Sequence, residues 1–141
     1  MNINEKIFRE YDIRGIADQD LSDPVVTELG RALGTFITKK GGSTITLGRD
    51  CRLSSNRIRS ALTEGLLKAG INVIDIGLVP TPLLYFSVFE LKTDGGIMIT
   101  GSHNPAEHNG FKICVGKTTI HGAEIQEVKA LLLGNHFSCG Q

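Results

Sequence analysis

No excess of charge of either sign exists in this chain: fifteen lysines and arginines balance fifteen aspartates and glutamates. That balance leaves no electrostatic footprint for nucleic acid or for an anionic membrane surface. A small anion is not excluded, because a local cluster of donors is enough to hold it. Cysteine is scarce. Cys51, Cys114 and Cys139 are odd in number, and no C-x-x-C or Cys/His spacing suggests zinc. Reduced thiols in a cytoplasmic setting are the expected state. No apolar run approaches the ~18 residues of a membrane span, and the N-terminus lacks the basic-then-apolar pattern of a signal peptide. Internal repeats and low-complexity tracts are also missing. What remains is 40% hydrophobic and 21% charged residues over 141 positions. That is ordinary for a globular protein and suits one domain with a sizeable core.

Helical periodicity and short apolar runs alternate along the chain. Residues 23–40 carry Val26, Leu29, Leu33, Phe36 and Ile37 at helical spacing, with Ser22 or Asp23 as cap, Pro24 in the first turn and Gly41-Gly42 as the stop. A β-branched strand is expected at 44–47. A helix capped by Ser54 or Ser55 follows to about Ala69, then a strand at 72–76. Thr81-Pro82 opens a short helix with Leu83, Leu84, Phe86, Val88 and Phe89. A helix this apolar is expected to be buried on more than one side or packed on another domain. Strands at 95–99 and 111–115 and a helix at 122–133 complete the pattern. Near the N-terminus, residues 7–11 read as a short edge strand ended by a turn at Arg14-Gly15. The alternation predicts an α/β fold: a three-layer α/β/α domain with a mixed, mostly parallel four-stranded sheet. Its one antiparallel strand comes from the hairpin around residues 100–110. Loops near Arg14, near Arg49 and around Ser102 should gather at one end of the sheet.

The loop between the last two strands carries the densest chemistry. It presents the hydroxyl of Ser102, the imidazoles of His103 and His108, the amide of Asn104 and, as the next strand begins, the cation of Lys112. Asn104-Pro105 starts a turn, and Asn109-Gly110 is expected to supply positive φ. A serine nucleophile needs activation. The hydrolase signature G-x-S-x-G on a strand-to-helix turn is not met by Gly101-Ser102-His103-Asn104-Pro105. The better reading is a serine that carries a phosphoryl group, with about −1.5 to −2 charge and three acceptor oxygens. Lys112 can return along the strand to meet that charge. Elsewhere, Gly48-Arg49-Asp50-Cys51-Arg52 before a helix N-terminus suits either an anion site or ion pairs that brace the loop, and Asp50 favours the pairing.

Four stretches, in order, carry a resemblance. They are Phe8-Arg9-Glu10-Tyr11-Asp12-Ile13-Arg14-Gly15, Gly48-Arg49-Asp50-Cys51-Arg52-Leu53-Ser54-Ser55, Gly77-Leu78-Val79-Pro80-Thr81-Pro82, and Thr100-Gly101-Ser102-His103-Asn104-Pro105 with Asn109-Gly110-Phe111-Lys112. Together they resemble the α-D-phosphohexomutases, with the phosphomannomutase/phosphoglucomutase branch as the best match. The resemblance implies that Ser102 is a phosphoserine. It exchanges its phosphoryl group with the 1- and 6-positions of a hexose phosphate through a bisphosphorylated sugar. It implies Mg²⁺ on the serine phosphate, Tyr11 and Arg14 near phosphoserine and substrate, and Lys112 as proton-transfer group or phosphate counter-charge. Arg14 and His103 would stabilise the charged loop. Asn104 reads as a turn-maker, and His108 and His121 as surface residues. The form Tyr11-Asp12-Ile13-Arg14-Gly15 is of the hexose type, pointing to mannose or glucose phosphates.

Family members have four domains, and the Asp-rich metal loop D-G-D-x-D of the second does not occur here. The expectation is therefore a first domain at 1–134, the start of an interdomain linker at 135–141, and domains II–IV absent. Little or no mutase activity is expected from this polypeptide alone. Its expected partners are hexose phosphates and those further domains, not nucleic acid or membrane. Two other readings stay open: a non-catalytic phosphosugar-binding or assembly module, and a serine acyl hydrolase.

Overall fold

A computed structural model describes residues 2–139. A short 3₁₀ turn, Glu5–Ile7, leads to β1 (Ile13–Ile16) and the one-turn helix α1 (Ala17–Asp20). Then come α2 (Asp23–Lys39), β2 (Thr44–Arg49), α3 (Ser55–Lys68), β3 (Asn72–Leu78), α4 (Thr81–Glu90), β4 (Gly95–Ile99), β5 (His108–Val115), β6 (Thr118–Thr119) and α5 (Ala123–Gly134). The helices follow their apolar stripes. In α2 the residues Val26, Leu29, Leu33, Phe36 and Ile37 are all buried, Ser22 holds the N-cap position, and Gly41 leaves the helix at φ 87°. That conformation suits a residue without Cβ.

The sheet order is β1-β5-β4-β2-β3, with β6 paired to β5. Strand β2 is parallel to β3 and β4, while β5 is antiparallel to β4, β1 and β6. Among the described strands β5 alone therefore runs against the others, as the hairpin argument expects. The strand number is six, not four. β6 is two residues long and gives no periodic signal. β1 lies at 13–16 and not at 7–11, where Phe8 makes only a single bridge to Ile13. Arg14 and Gly15 are paired strand residues opposite Gly110 and Asn109, and not a turn. The pairing is set by Ile13, which is fully buried, and by Gly110, where a Cβ would collide with Ile13 O and press on Arg14.

Alternation along the strands divides the molecule into unequal layers. Ile45, Leu47, Ile97, Ile99, Phe111 and Ile113 point to one face and form one core with α2, α3 and α5. On the opposite face α4 is the one helix among the described residues, and it packs on β2 and β4. There Ser87 Oγ donates to Thr46 Oγ1 at 3.0 Å, and Val88 Cγ2 and Leu84 Cγ close over Gly96. The apolar helix α4 is buried on one side only. Leu84 and Val88 are covered, while Leu83, Phe86 and Phe89 are exposed. Because α4 packs on β2 and β4, that face of β5 and β1 is left without a covering helix among the described residues. By register with Met98 and Gly110, Lys112 and Arg14 stand on that bare surface.

Candidate active-site cleft

The segment joining β4 to β5 is residues 100–107, closed at its neck by Thr100 N–H donating to Gly110 O at 2.9 Å. Inside it the chain turns tightly. Asn104 N–H and Asn104 Nδ2 both donate to Gly101 O, at 3.0 and 2.9 Å, and Ser102 N–H donates to Thr100 Oγ1 at 3.0 Å. Ser102 sits at φ 53°, the left-handed region that costs an L-residue about 1–2 kcal/mol. Asn109 and Gly110, expected to supply positive φ, do not. They are the second and third residues of β5 and are buried. The Asn109 amide bridges strand and helix instead: Nδ2 donates to Ser54 Oγ at 2.9 Å and Ser55 Oγ at 3.0 Å, and Oδ1 accepts from Gly110 N–H at 2.9 Å. An Asn-Gly pair was read for its turn propensity, whereas burial and three hydrogen bonds decide its conformation here.

Ser102 is exposed and opens on a cleft of about 450 Å³ lined also by Arg9, Glu10, Tyr11, Asp12, Arg14 and Lys112. Residues some ninety positions apart thus meet because β1 and β5 are neighbours. Arg14 Nη1 donates to Asn104 Oδ1 at 3.5 Å, and Arg14 Nε lies 3.7 Å from Asp12 Oδ1. Tyr11 is 70% exposed and stacks on His121, ring centroids 6.2 Å apart. Asn104 is the expected turn residue and also Arg14's acceptor.

His103 is exposed and does not line the cleft. His108 is half-buried at the start of β5, and its Nδ1 is enclosed without a partner. Arg9, Glu10 and Asp12 line the cleft without having been singled out. In the sequence they are marked by adjacency to Tyr11 and Arg14 in the stretch from Phe8 to Gly15.

The end of β2 and the loop after it are braced by ion pairs. Arg49 lies 3.5 Å from Asp75 Oδ1 and donates to Asn56 Oδ1 at 2.9 Å. Asp50 accepts from Ser55 Oγ at 2.7 Å, from Arg52 N–H at 3.1 Å and, in the serine loop, from Gly101 N–H at 3.0 Å. Burial pushes the Asp50 carboxyl up. The hydrogen bonds from Ser55, the Arg52 and Gly101 N–H groups and Thr100 outweigh it and hold the group below the usual carboxylate range. Cys51, Cys114 and Cys139 are free thiols.

The cleft joins an accessible hydroxyl to the cations of Arg9, Arg14 and Lys112, with the carboxylates of Glu10 and Asp12 beside them, and the cations suit an anion held beside the serine. No group of three or more His, Cys, Asp or Glu among the described residues could hold a metal ion. No helix among the described residues is long and apolar enough to cross a membrane.

Fold and cleft together define an α/β/α domain of the kind described as phosphoglucomutase/phosphomannomutase, alpha/beta/alpha domain I, whose family model matches residues 5–137. The chain belongs to the phosphoglucomutase/phosphomannomutase family. It is 43% identical over 131 residues to a phosphoglucomutase of Neisseria gonorrhoeae, covering 93% of this chain and 28% of that protein. It is 41% identical over 137 residues to a phosphomannomutase/phosphoglucomutase of Pseudomonas putida, covering 97% and 30%. The crystal structure of a phosphoglucomutase/phosphomannomutase family protein from Burkholderia thailandensis superposes with a TM-score of 0.93 at 36% identity, over 99% of this chain and 32% of that one. The chain therefore spans less than a third of the length of these relatives.

Proposed function

We propose that this chain is the phosphoserine-bearing first domain of a mutase that interconverts the 1- and 6-phosphates of mannose or glucose. Residues 1–134 form the domain, and 135–141 begin a linker to further domains. Of the linker, residues 140 and 141 lie outside the described ones. The observation that carries the reading is the meeting of Ser102, Arg14 and Lys112 in one open cleft.

In the proposed reaction Ser102 Oγ carries a phosphoryl group. A hydroxyl of the sugar phosphate attacks that phosphorus, the P–Oγ bond breaks, and a bisphosphorylated sugar forms. After the sugar turns over, Ser102 Oγ attacks the other phosphoryl group and the product leaves. Phosphoryl transfer depends on alignment and neutralisation of oxygen charge. Arg14, tied to Asn104 in the serine loop, and Lys112, on the rigid strand β5, provide fixed cations for that purpose. Alternatively Lys112 stands there as a neutral amine and takes the proton from the attacking sugar hydroxyl, in place of serving as counter-charge. Tyr11, at the rim, contacts the sugar. Mg²⁺, when bound to the serine phosphate, acts as Lewis acid, with its remaining ligands outside this chain. His103, away from the cleft lining, supports the loop and not the transfer.

A cytoplasmic setting suits the three free thiols. No specific observation favours the binding-module reading, and the hydrolase reading gains none because among the described residues no histidine lines the cleft to activate Ser102. A coupled assay of glucose 1-phosphate to glucose 6-phosphate tests the proposal. The complete polypeptide should turn over and the 141-residue chain should not. Brisk turnover by the isolated chain contradicts the need for further domains, and none by the complete polypeptide contradicts the mutase.

A further inference from the structure

Arg52 lies beneath the serine loop, with its side chain 15% exposed. Its Nη1 donates to Pro105 O and, at 3.0 Å, to His108 O. Its Nη2 donates to Ser102 O at 3.1 Å and Asn104 O at 2.7 Å. Nε faces Asp50 Oδ2 at 3.4 Å. Both terminal nitrogens, with two N–H groups each, thus meet two carbonyls apiece. Gly101 makes room for this, since the guanidinium occupies the place a Cβ of residue 101 would take. Asp50 completes the unit by accepting from the Gly101 N–H.

We infer that Arg52 is a positioning residue for the serine loop: its guanidinium gathers three loop carbonyls and that of His108, the first residue of β5, behind the loop and so fixes the direction of Ser102 Oγ. The inference rests on the phosphoryl-transfer reading for its kinetic consequence. Carbonyl oxygens turned into the cleft would repel a phosphoryl group, and held on Arg52 they point away from it. The work is geometric rather than a matter of charge, because Asp50 already balances the guanidinium. A planar fork with fixed donors is required, which a lysine ammonium on a flexible stem does not reproduce. Arg52 itself does not line the cleft.

The test compares wild type, Arg52→Lys and Arg52→Ala in the complete polypeptide. Arg52→Lys should lower kcat by ~10²-fold, the scale of a misplaced reacting group, and leave KM within about threefold. Guanidinium ion added to Arg52→Ala should restore turnover and ammonium should not. Hydrogen exchange at the amides of Gly101, Asn104 and His108 should speed up in Arg52→Lys, while amides of α2 stay protected. This comparison also shows that the variant is folded. Arg52→Lys with turnover within about threefold of wild type overturns the inference, and so does a loss of turnover with unchanged exchange in the loop. Should the wild-type polypeptide show no phosphoryl transfer at all, the mutase reading fails, and the exchange result alone decides whether Arg52 fixes the loop.

Discussion

Replacing Asn109 by alanine should destabilise the domain by about 3 kcal/mol, although the side chain touches nothing in the cleft. Asn109 is 0% exposed. Truncation removes two donors to Ser54 and Ser55, at 2.9 and 3.0 Å, and the acceptor of the buried Gly110 N–H. Two neutral hydrogen bonds contribute about 0.5–1.5 kcal/mol each, and an orphaned buried N–H costs about 1–3 kcal/mol. Ser55 Oγ keeps its bond to Asp50, so the lower half of the combined range is expected. With an unfolding entropy of about 2.1 cal/mol/K per residue, a loss near 3 kcal/mol lowers Tm by roughly 10 °C. Differential scanning calorimetry of the 141-residue chain at pH 7 measures this. A turn residue at an exposed bend would give a change within about 0.5 kcal/mol, and that result would refute the assignment of Asn109 as a buried bridge between β5 and α3.

Other perturbations follow from the same contacts. Asp50 has a lowered carboxyl pKa in the folded chain, so its stabilising contribution is complete above the unfolded value of about 3.9 and fades as pH falls through the folded one. Asp50→Asn should therefore flatten the acid limb of stability measured by urea unfolding between pH 7 and pH 3, and an unchanged limb contradicts the shift. Gly30→Ala places a Cβ 2.6 Å from Leu62 O in α3. A backbone carbonyl cannot swing away, and the overpacking, about 1–3 kcal/mol, should show as a lower Tm despite alanine's better helix propensity. Lys112→Met, on the half-exposed face of β5, should cut mutase turnover in the complete polypeptide by ~10²-fold or more while leaving Tm nearly unchanged. Turnover close to wild type removes Lys112 from the reaction.

Elements whose cause is local were legible in the chain. The stripe from Val26 to Ile37 has the spacing and stop signals of α2, and Gly95–Ile99 is a strand with the bounds expected of it. Elements whose cause is remote were not. β1 exists because Ile13 to Ile16 pair with residues 108–111, and no property of Arg14-Gly15 announces a partner ninety positions away. The same distance hid the role of Asn109, whose turn propensity is real in isolation and overridden by burial. Positive φ fell on Ser102, a residue type with no special tolerance for it. Ser102 and Lys112, legible in the loop and strand themselves, and Arg14 and Tyr11, implied by motif resemblance, share the cleft. His103 was named in the same way, but adjacent side chains in an irregular loop need not face one way. Of the two expectations for α4, burial on more than one side within this chain is not met, because apolar composition tells how much surface a helix has to hide, not whether this chain hides it.

The central claim is that Ser102 Oγ bears a phosphoryl group in the active protein. Phosphopeptide mass spectrometry of the complete polypeptide, purified while active, measures this directly. The expected result is about 80 Da added at Ser102, the mass of one phosphoryl group, disappearing in Ser102→Ala together with sugar-phosphate interconversion. An unmodified Ser102 in fully active protein, or undiminished turnover by Ser102→Ala, would contradict it.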